Sequence, residues 1–333
     1  MKPVLKKLIL VLASTAITLC LAEILFRVAP ISSLELDTDI IWDQQKPKTG
    51  DEEKHSRAVI AGQRFREDKI DAEIYGEDFT RVLFLGDSFT EGAHVEMGDR
   101  FSDRLEILLN GERIDEGSSS RIHIFNAGKG GTSPYFWERY LRVLQPVYKP
   151  HAVFAIFFLR DGTDLKTAVH RNKEIIDPIM KKYKGLPLYG TSKLLSYLYN
   201  KLAWQEFSNR FKEELVSSYL GSAEERIAWR RQKAALRKIS AHCENNGIPF
   251  HLIIFPLLYN LRDYEFQEVE DEIEKFAAKR DIPVFSLTPG FEGHDARSLW
   301  VSRYDQHPNS EGHAIAARTL LPYLRKSIDG MER

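Results

Sequence analysis

The chain has 333 residues, of which 43% are hydrophobic and 29% are charged. This composition excludes collagen-like, low-complexity and largely disordered proteins, and the length accommodates one large or two ordinary domains. Lys and Arg number 47 and Asp and Glu 48, so a net charge of -1 provides no basic surface for wrapping nucleic acid. The two cysteines, Cys20 and Cys243, are too few for a disulfide framework or a thiolate metal site.

Residues 1–30 contain an apolar run that predicts a membrane-spanning helix. No charge occurs between Lys7 and Glu23, and an i, i+4 pair of Glu23 with Arg27 extends the run to Val28, about the 20 residues that cross a bilayer. Lysines precede the run and acidic residues follow it, which predicts a cytoplasmic N-terminus. A cleaved signal peptide and an ordinary buried helix are the alternatives. The poor small-x-small pattern before Glu23 favours an uncleaved anchor.

Residues 31–79 are polar and charged, and we expect a linker and an N-terminal extension there, followed by the main domain over residues 80–328. Five short apolar runs in that domain alternate with segments of helical spacing. The runs are residues 81–86, 122–125, 152–158, 250–255 and 283–287. Continuous apolar runs are typical of strands buried on both faces. The alternation therefore predicts an α/β fold with a parallel sheet of about five strands and helices on both faces.

Residues 165–222 interrupt this alternation. The segment is too long for one crossover helix and is rich in Tyr and Leu, which predicts a helical insertion. One hypothesis is a lid or membrane-facing cap over the carboxyl edge of the sheet. The other is an extra packed helix pair, which is favoured because an apolar helical stripe is normally core.

The first motif is Gly86-Asp87-Ser88, directly after the first predicted strand. Ligands of parallel α/β sheets bind at the carboxyl ends of the strands. A serine there, with its own amide at the start of a helix, is placed to attack a carbonyl carbon and to stabilise the resulting oxyanion. Asp and Ser are also common turn and N-cap residues, so this motif alone leaves both roles open.

The second motif is Asp-x-His-Pro-Asn over residues 305–309. An Asp two residues before a His can hold the imidazole in one tautomer while the other ring nitrogen faces a nucleophile. We expect Pro308 to begin the last helix. A metal site of Asp305, His307 and His313 is disfavoured, because the two histidines lack the i, i+4 spacing of helical ligands. We expect His313 on a helix face with local hydrogen bonds.

The third motif is Asn-Ala-Gly-Lys-Gly-Gly-Thr-Ser over residues 126–133, after the second strand. Its glycines allow a main-chain N–H group to approach a ligand closely. It is not a phosphate-binding P-loop, because Lys129 stands between glycines rather than before Ser or Thr. A simple tight turn is the alternative interpretation.

These three motifs, in this order on an α/β pattern, resemble the SGNH or GDSL hydrolase superfamily of esterases and lipases. The resemblance covers about residues 60–325, and the segments 62–66 and 287–291 are similar to membrane-anchored bacterial members. It implies a three-layer α/β/α, flavodoxin-like fold. It also implies Ser88 as nucleophile, His307 as general base, Asp305 as the residue that orients it, and the amides of Ser88 and Gly131 as oxyanion donors.

One block departs from the family pattern. After the third strand the family has Gly-x-Asn-Asp, with the Asn side chain as third oxyanion donor, whereas Arg160 occupies the Asn position here. A shifted register would instead place Gly162-Thr163-Asp164 at this block. The guanidinium of Arg160 is suited to stabilise an oxyanion, to bind an anionic substrate group, or to pair with Asp161 or Asp164.

The resemblance implies an extracytoplasmic serine esterase or acylhydrolase that acts on an acyl ester of a lipid, a glycan or a small molecule. We expect it to be anchored by one helix in a bacterial inner membrane, with the catalytic domain on the periplasmic side. No metal, organic cofactor or nucleic acid is implied. One alternative is an O-acetyltransferase or deacetylase of a cell-envelope glycan, which uses the same triad. The other is a catalytically weakened ligand-binding module in which Arg160 has removed the third donor.

Overall fold

A computed structural model describes residues 3–29, 58–60, 63–67, 75–76, 78–165, 172–302 and 305–331. Most of the expected linker, from residue 31 to residue 57, lies outside the described residues. The chain divides into two compact units. Unit 1 comprises Met1–Lys46 with Ala168–Glu214, and unit 2 comprises Pro47–Thr167 with Leu215–Arg333.

Strands and helices alternate along unit 2. The strands are β1 (Ala58–Ile60), β2 (Gln63–Phe65), β3 (Phe79–Gly86), β4 (Arg121–Gly128), β5 (Ala152–Phe158), β6 (Phe250–Phe255), β7 (Val284–Ser286), β8 (Trp300–Ser302) and β9 (Asp305–Pro308). The helices of the chain are α1 (Pro3–Val28), α2 (Ser88–Glu91), α3 (Phe101–Asp115), α4 (Pro134–Tyr148), α5 (Lys173–Lys184), α6 (Lys193–Leu220), α7 (Ile227–Asn245), α8 (Gln267–Ala278), α9 (Thr288–Phe291) and α10 (Ser310–Asp329). Short 3-10 helices cover Leu159–Gly162 and Ala296–Leu299.

The central sheet has the strand order β4-β3-β5-β6-β7, and all neighbouring strands in it are parallel. This is the flavodoxin-like order, so the predicted fold class is confirmed. In this register Gly86, the last residue of β3, lies opposite Gly128 of β4 and Ile156 of β5. The carboxyl ends of these strands therefore meet at one edge, where the sequence motifs follow them.

The strands form because their side chains are apolar in succession. Every residue of β5 is buried, as are all but the first residue of β3 and of β4. Such strands are stable only when helices cover both faces of the sheet. Helix α3 packs against α10, and α4 packs against α7, which supplies a helical layer for each face. The sheet edge that carries the motifs is thereby held between two packed layers.

Unit 1 contains α1, α5 and the greater part of α6. In α1, an 18-residue stretch within Val4–Val28 has a mean hydropathy of 2.4, and most of the apolar side chains of this helix are exposed. The helix is long and apolar enough to cross a membrane, a property that signal sequences share. Helices α5 and α6 lie within the segment in which the sequence predicts a helical insertion.

Candidate active site

Ser88 is the first residue of α2, directly beyond β3. Its neighbour Asp87 is the N-cap of this short helix, and the Asp87 carboxylate accepts a hydrogen bond of 2.8 Å from the amide of Phe89. The side chain of Ser88 is 7% exposed, so the hydroxyl lies at the sheet edge with little contact to bulk water. The local sequence thus fixes Ser88 at the point where a parallel sheet binds its ligands.

Two glycines allow α2 to approach the sheet edge so closely. A Cβ at Gly86 would lie 1.9 Å from the hydroxyl of Thr90, and a Cβ at Gly128 would lie 2.2 Å from the amide nitrogen of Glu91. Neither distance is compatible with a side chain. The backbone of α2 therefore rests directly on the ends of β3 and β4, which positions Ser88.

Asp305 and His307 lie on β9, which pairs with β8 in an antiparallel hairpin. Asn309 fixes the exit of this hairpin: its side chain accepts hydrogen bonds from Glu311 and Gly312 and donates to the carbonyls of Ser298 and Trp300. The last helix begins at Ser310 with Asn309 as its N-cap, so the expectation that Pro308 begins it is wrong. Pro308 instead ends the strand, because the Asn309 side chain supplies the cap.

The three side chains of the predicted triad are in hydrogen-bonding contact. The Nε2 atom of His307 lies 2.8 Å from the Oγ atom of Ser88. Its Nδ1 atom lies 2.5 Å from Oδ1 of Asp305, and the same carboxylate oxygen accepts the His307 amide at 3.1 Å. One imidazole thus links a hydroxyl to a carboxylate across 219 residues of sequence. This is the arrangement in which an imidazole can remove a serine proton.

A second histidine, His94, contacts the triad carboxylate. Its Nε2 atom lies 3.3 Å from Oδ2 of Asp305, and its ring centroid is 4.9 Å from that of His307. Burial would raise the pKa of Asp305, but the hydrogen bond and charge of His307, with the charge of His94, lower it to about 2. Burial lowers the pKa of His94, although the Asp305 charge opposes this shift. Asp305 is therefore a carboxylate, and His94 a neutral imidazole, at neutral pH.

Among the residues that the structure describes, these three form the group that could hold a metal ion. One ligand atom from each of His94, Asp305 and His307 lies within 4.8 Å of the others, and two imidazoles with one carboxylate suit zinc. His313 is not part of this cluster. It is buried, and its Nδ1 atom accepts the Phe101 amide at 3.3 Å, so the expectation of local hydrogen bonds was wrong. The sequence separation of 212 residues explains why spacing could not predict that partner.

Arg160 lies in the 3-10 turn after β5 and is 9% exposed. Its guanidinium stands 4.8 Å from the centre of the Phe158 ring. Burial lowers its pKa to about 10, while the charges of Asp87, Asp161 and Asp305 raise it, so the group is a cation at neutral pH.

Two of those carboxyl groups are themselves buried. Burial raises the pKa of Asp87, opposed by Arg160, and burial with the charge of Asp87 raises the pKa of Asp161 well above its usual range. Asp164, the other partner expected for Arg160 from the sequence, instead pairs with Arg231 at 2.5 Å. The Arg160 cation is therefore buried close to the carboxyl groups of Asp87, Asp161 and Asp305.

Gly131 lies in the loop between β4 and α4, with a φ of +74° that favours glycine. The preceding amide, of Gly130, donates to the Glu91 carboxylate at 2.7 Å, and a Cβ at Gly130 would lie 3.6 Å from the Cβ of Ser88. The glycine-rich loop thus runs beside Ser88.

Sequence reasoning missed the residues that hold this loop and the helix together. Asn126, at the end of β4, donates to the carbonyl of Thr90 at 2.6 Å and to the hydroxyl of Ser102 at 2.8 Å. The side-chain Oδ1 atom of Asn126 accepts a hydrogen bond of 2.9 Å from the Gly128 amide. A polar side chain at a buried strand end was the available signal, because such a group requires partners.

No protein-family model matches the chain, and no curated protein matches it either. Several solved structures do. A two-domain esterase active on acetylated mannans matches at 15% identity with a TM-score of 0.41, over 74% of this chain and 49% of that protein. The psychrotrophic esterase EstA from Pseudoalteromonas sp. matches at 12% identity with a TM-score of 0.43, over 75% and 99% of the two chains. A member of the lipolytic protein G-D-S-L family from Veillonella parvula matches at 14% identity with a TM-score of 0.38, over 73% and 96%.

The chain spans about half the length of the first of these proteins and nearly all of the other two. The first two are described as esterases and the third as a lipolytic protein of the G-D-S-L family.

Proposed function

We propose that the chain is a serine ester hydrolase of the SGNH type. The observation that carries this proposal is the continuous contact from Ser88 through His307 to Asp305, with distances of 2.8 Å and 2.5 Å. The contact stands at the carboxyl edge of a parallel sheet, where such folds bind ligands. These three residues are enough to supply the nucleophile, the general base and the group that orients the base.

In the proposed reaction, Ser88 Oγ attacks the carbonyl carbon of an ester while its proton passes to Nε2 of His307. The imidazolium that forms is stabilised by the Asp305 carboxylate, which remains charged because of its low pKa. The proton then moves to the leaving alkoxide, and the acyl group stays on Ser88. Water attacks this acyl-serine while His307 accepts one of its protons. The bond between the acyl carbon and Ser88 Oγ then breaks, Oγ takes the proton back from His307, and the carboxylic acid leaves.

The oxyanion of each tetrahedral intermediate requires hydrogen-bond donors on the side of the carbonyl carbon away from the His307 imidazole. The amide of Ser88 stands at the N-terminus of α2, and helix N-termini favour negative charge. The amide of Gly131 is the second proposed donor, because its loop runs beside Ser88. Together the two amides supply the electrostatic stabilisation that acyl transfer requires.

Arg160 is proposed to offset the negative charge of the carboxyl groups that are buried near the site. It is a buried cation near three carboxyl groups, those of Asp87, Asp161 and Asp305. A buried charge is stable only when an opposite charge is close. Of the two partners considered from sequence, Asp164 is engaged by Arg231, and Asp161 adds to the charge around Arg160, although Asp87 contributes more.

We further propose that α1 anchors the enzyme in a membrane with the catalytic unit outside the cytoplasm. Lysines at positions 2, 6 and 7 precede the apolar run, and the positive-inside rule assigns that end to the cytoplasm. Fusions of a reporter to each end of the chain, active only on one side of the membrane, test this orientation.

The activity is tested with the full chain in detergent, on p-nitrophenyl esters of increasing acyl length. We expect ester hydrolysis that Ser88→Ala abolishes. Ser327→Ala is the matched control, since it removes a hydroxyl that bonds only a carbonyl of its own helix among the described residues. Product analysis in the presence of a sugar acceptor distinguishes hydrolysis from acyl transfer. Equal rates for wild type and Ser88→Ala would contradict the proposal.

A further inference from the structure

The anchor helix α1 is attached to the start of α6 through one carboxylate. Glu23 accepts hydrogen bonds from the Ser192 hydroxyl at 2.7 Å and from the amides of Lys193 and Leu194 at 3.0 Å each. These amides belong to the first turn of α6, whose N–H groups have no partner within the helix itself. Glu23 therefore caps a helix that lies about 170 residues further along the chain.

Two neighbouring contacts strengthen the attachment. Arg27 bonds Glu23 at 2.7 Å and donates to the Thr191 carbonyl at 2.9 Å. The Phe26 ring meets the Tyr197 ring edge-on at 5.1 Å. All of these residues belong to unit 1, so α1 and the beginning of α6 form one packed element.

The depth of Glu23 in a bilayer follows from the sequence of α1. A hydrocarbon core of about 30 Å, beginning after Lys7, ends near Arg27 at a rise of about 1.5 Å per residue. Glu23 then lies about 6 Å inside that boundary, where an unpaired carboxylate is unfavourable. Its partners at residues 192–194 must lie at the same depth. The attachment thus brings the first turn of α6 to the outer edge of the hydrocarbon core, just below the lipid headgroups.

The exposed face of α6 changes character along its length. Residues 198, 202, 205, 209 and 213 are spaced by three or four positions, so they share one face of the helix. Near the anchor this face carries Leu198 and Leu202, which are 42% and 47% exposed. Farther from the anchor it carries Gln205, Asn209 and Glu213, all exposed. Within this set the exposed apolar side chains are the two nearest the end of α6 that Glu23 holds, and Leu220, at the other end of the helix, is a separate exposed leucine (39%).

The turn before α6 also exposes an apolar side chain. Leu188 is 58% exposed and has a φ of +60°, a conformation that disfavours a bulky residue. Its carbonyl accepts the amides of Thr191 and Ser192 at 3.1 Å and 2.9 Å, which fixes the turn. The rings of Tyr189 and Tyr199 stack on each other, with their centroids 6.4 Å apart. Tyrosines with exposed leucines are typical of segments at a membrane interface.

We propose that the turn at residues 186–192 and the first three turns of α6 lie in the interfacial layer of the bilayer at the C-terminal end of α1, with lipid covering Leu188, Leu198 and Leu202. The insertion is then a second membrane contact beside the anchor. This inference rests on the membrane anchoring proposed above, and it implies that α1 is retained in the mature protein. Lipid is the occupant because the Glu23 attachment sets these side chains at the boundary between the headgroups and the acyl chains.

The test uses the full chain with Cys20→Ala and a single new cysteine, Leu198→Cys or Leu202→Cys, labelled with the environment-sensitive fluorophore NBD. Cys243 stays in place, because it is fully buried and burial raises the pKa of its thiol to about 12. Asn209→Cys and Glu213→Cys, on the same face, are the matched controls. Each protein is reconstituted into phosphatidylcholine–phosphatidylglycerol vesicles with and without a lipid that carries a nitroxide high on its acyl chain.

We expect the labels at positions 198 and 202 to emit at shorter wavelength than the controls and to lose most of their intensity to the nitroxide. Labels at 198 and 202 that resemble the controls, in protein that floats with the vesicles, would overturn this inference alone. Protein that does not float would overturn the anchoring as well. Hydrogen exchange supplies a second measurement: Glu23→Ala should speed exchange of the Lys193 and Leu194 amides, whereas Glu213→Ala should not. Unchanged exchange of these two amides in Glu23→Ala would show that Glu23 does not hold the start of α6, and the inferred depth of α6 in the bilayer would lose its basis.

Discussion

The Nε2 atom of His94 lies 3.3 Å from the carboxylate oxygen of Asp305 that His307 does not use. The triad carboxylate is thereby held from both sides by imidazoles. Arg66 braces the segment that carries His94, since its guanidinium bonds the carbonyls of Gly92 and Val95. His94 is placed to orient Asp305 without touching the reacting atoms.

Replacement of His94 is therefore expected to weaken catalysis moderately. His94→Ala should lower kcat/KM about tenfold, equivalent to about 1.4 kcal/mol, because Asp305 loses one of the two groups that fix its rotamer. His94→Gln, which retains a donor, should recover part of the loss. His294→Ala, at an exposed position, is the control. Steady-state rates on one ester check this, and equal rates for His94→Ala and wild type would show that His94 has no positioning role.

The triad members are expected to act as a unit. Ser88→Ala, His307→Ala and the double variant should each lose roughly 1000-fold or more in kcat, with no further loss on combination, because neither residue functions without the other. Initial rates at saturating ester measure this. Losses that multiply in the double variant would mean that Ser88 and His307 contribute independently, contrary to their 2.8 Å contact.

Arg160 is expected to affect stability and rate together. Arg160→Ala leaves Asp87 and Asp161 without their nearby cation, and breaking such a buried pair typically costs about 3 to 5 kcal/mol. We expect a lower Tm and a lower kcat for Arg160→Ala and Arg160→Asn, with partial recovery in Arg160→Lys. Arg231→Ala, which frees the exposed Asp164, is the control. An Arg160→Asn variant that is faster than wild type would instead indicate that the site lacks an amide donor.

The low pKa of Asp305 makes the stability of the folded state depend on pH in the acid range. Its pKa of about 2 lies below the usual value for aspartate of about 3.9, so its charge stabilises the folded state above pH 4. This contribution should disappear as the pH falls from about 4 to about 2. The difference in Tm between wild type and Asp305→Asn should therefore shrink over that interval. A difference that stays constant down to pH 2 would show that the carboxylate is not held in its charged form.

Much of the fold could be predicted from the sequence because it depends on patterns among residues that are close in the chain. Five continuous apolar runs predicted the five strands of the sheet, and the Gly86-Asp87-Ser88 and Asp-x-His motifs predicted residues that the fold brings together. The i, i+4 spacing also predicted the contact of Glu23 with Arg27, which is 2.7 Å.

The remaining features depend on contacts between distant segments. His94 stands in a turn after α2, and no periodicity marks it as a partner of Asp305. The attachment of Glu23 to residues 192–194 and the hydrogen bond of His313 to Phe101 are invisible for the same reason. Arg160 could be recognised as a departure from a pattern, but its setting among buried acids required the fold.

Covalent labelling by a fluorophosphonate tests the central claim most directly, since the reagent forms a stable bond only with an activated serine. The full chain in detergent is treated with the probe, digested, and analysed by mass spectrometry. We predict a single adduct on Ser88, absent in Ser88→Ala, greatly slowed in His307→Ala, and unaffected in the control Ser327→Ala. An unlabelled wild-type protein, or an adduct that persists in Ser88→Ala, would contradict the assignment of Ser88 as the nucleophile of an ester hydrolase.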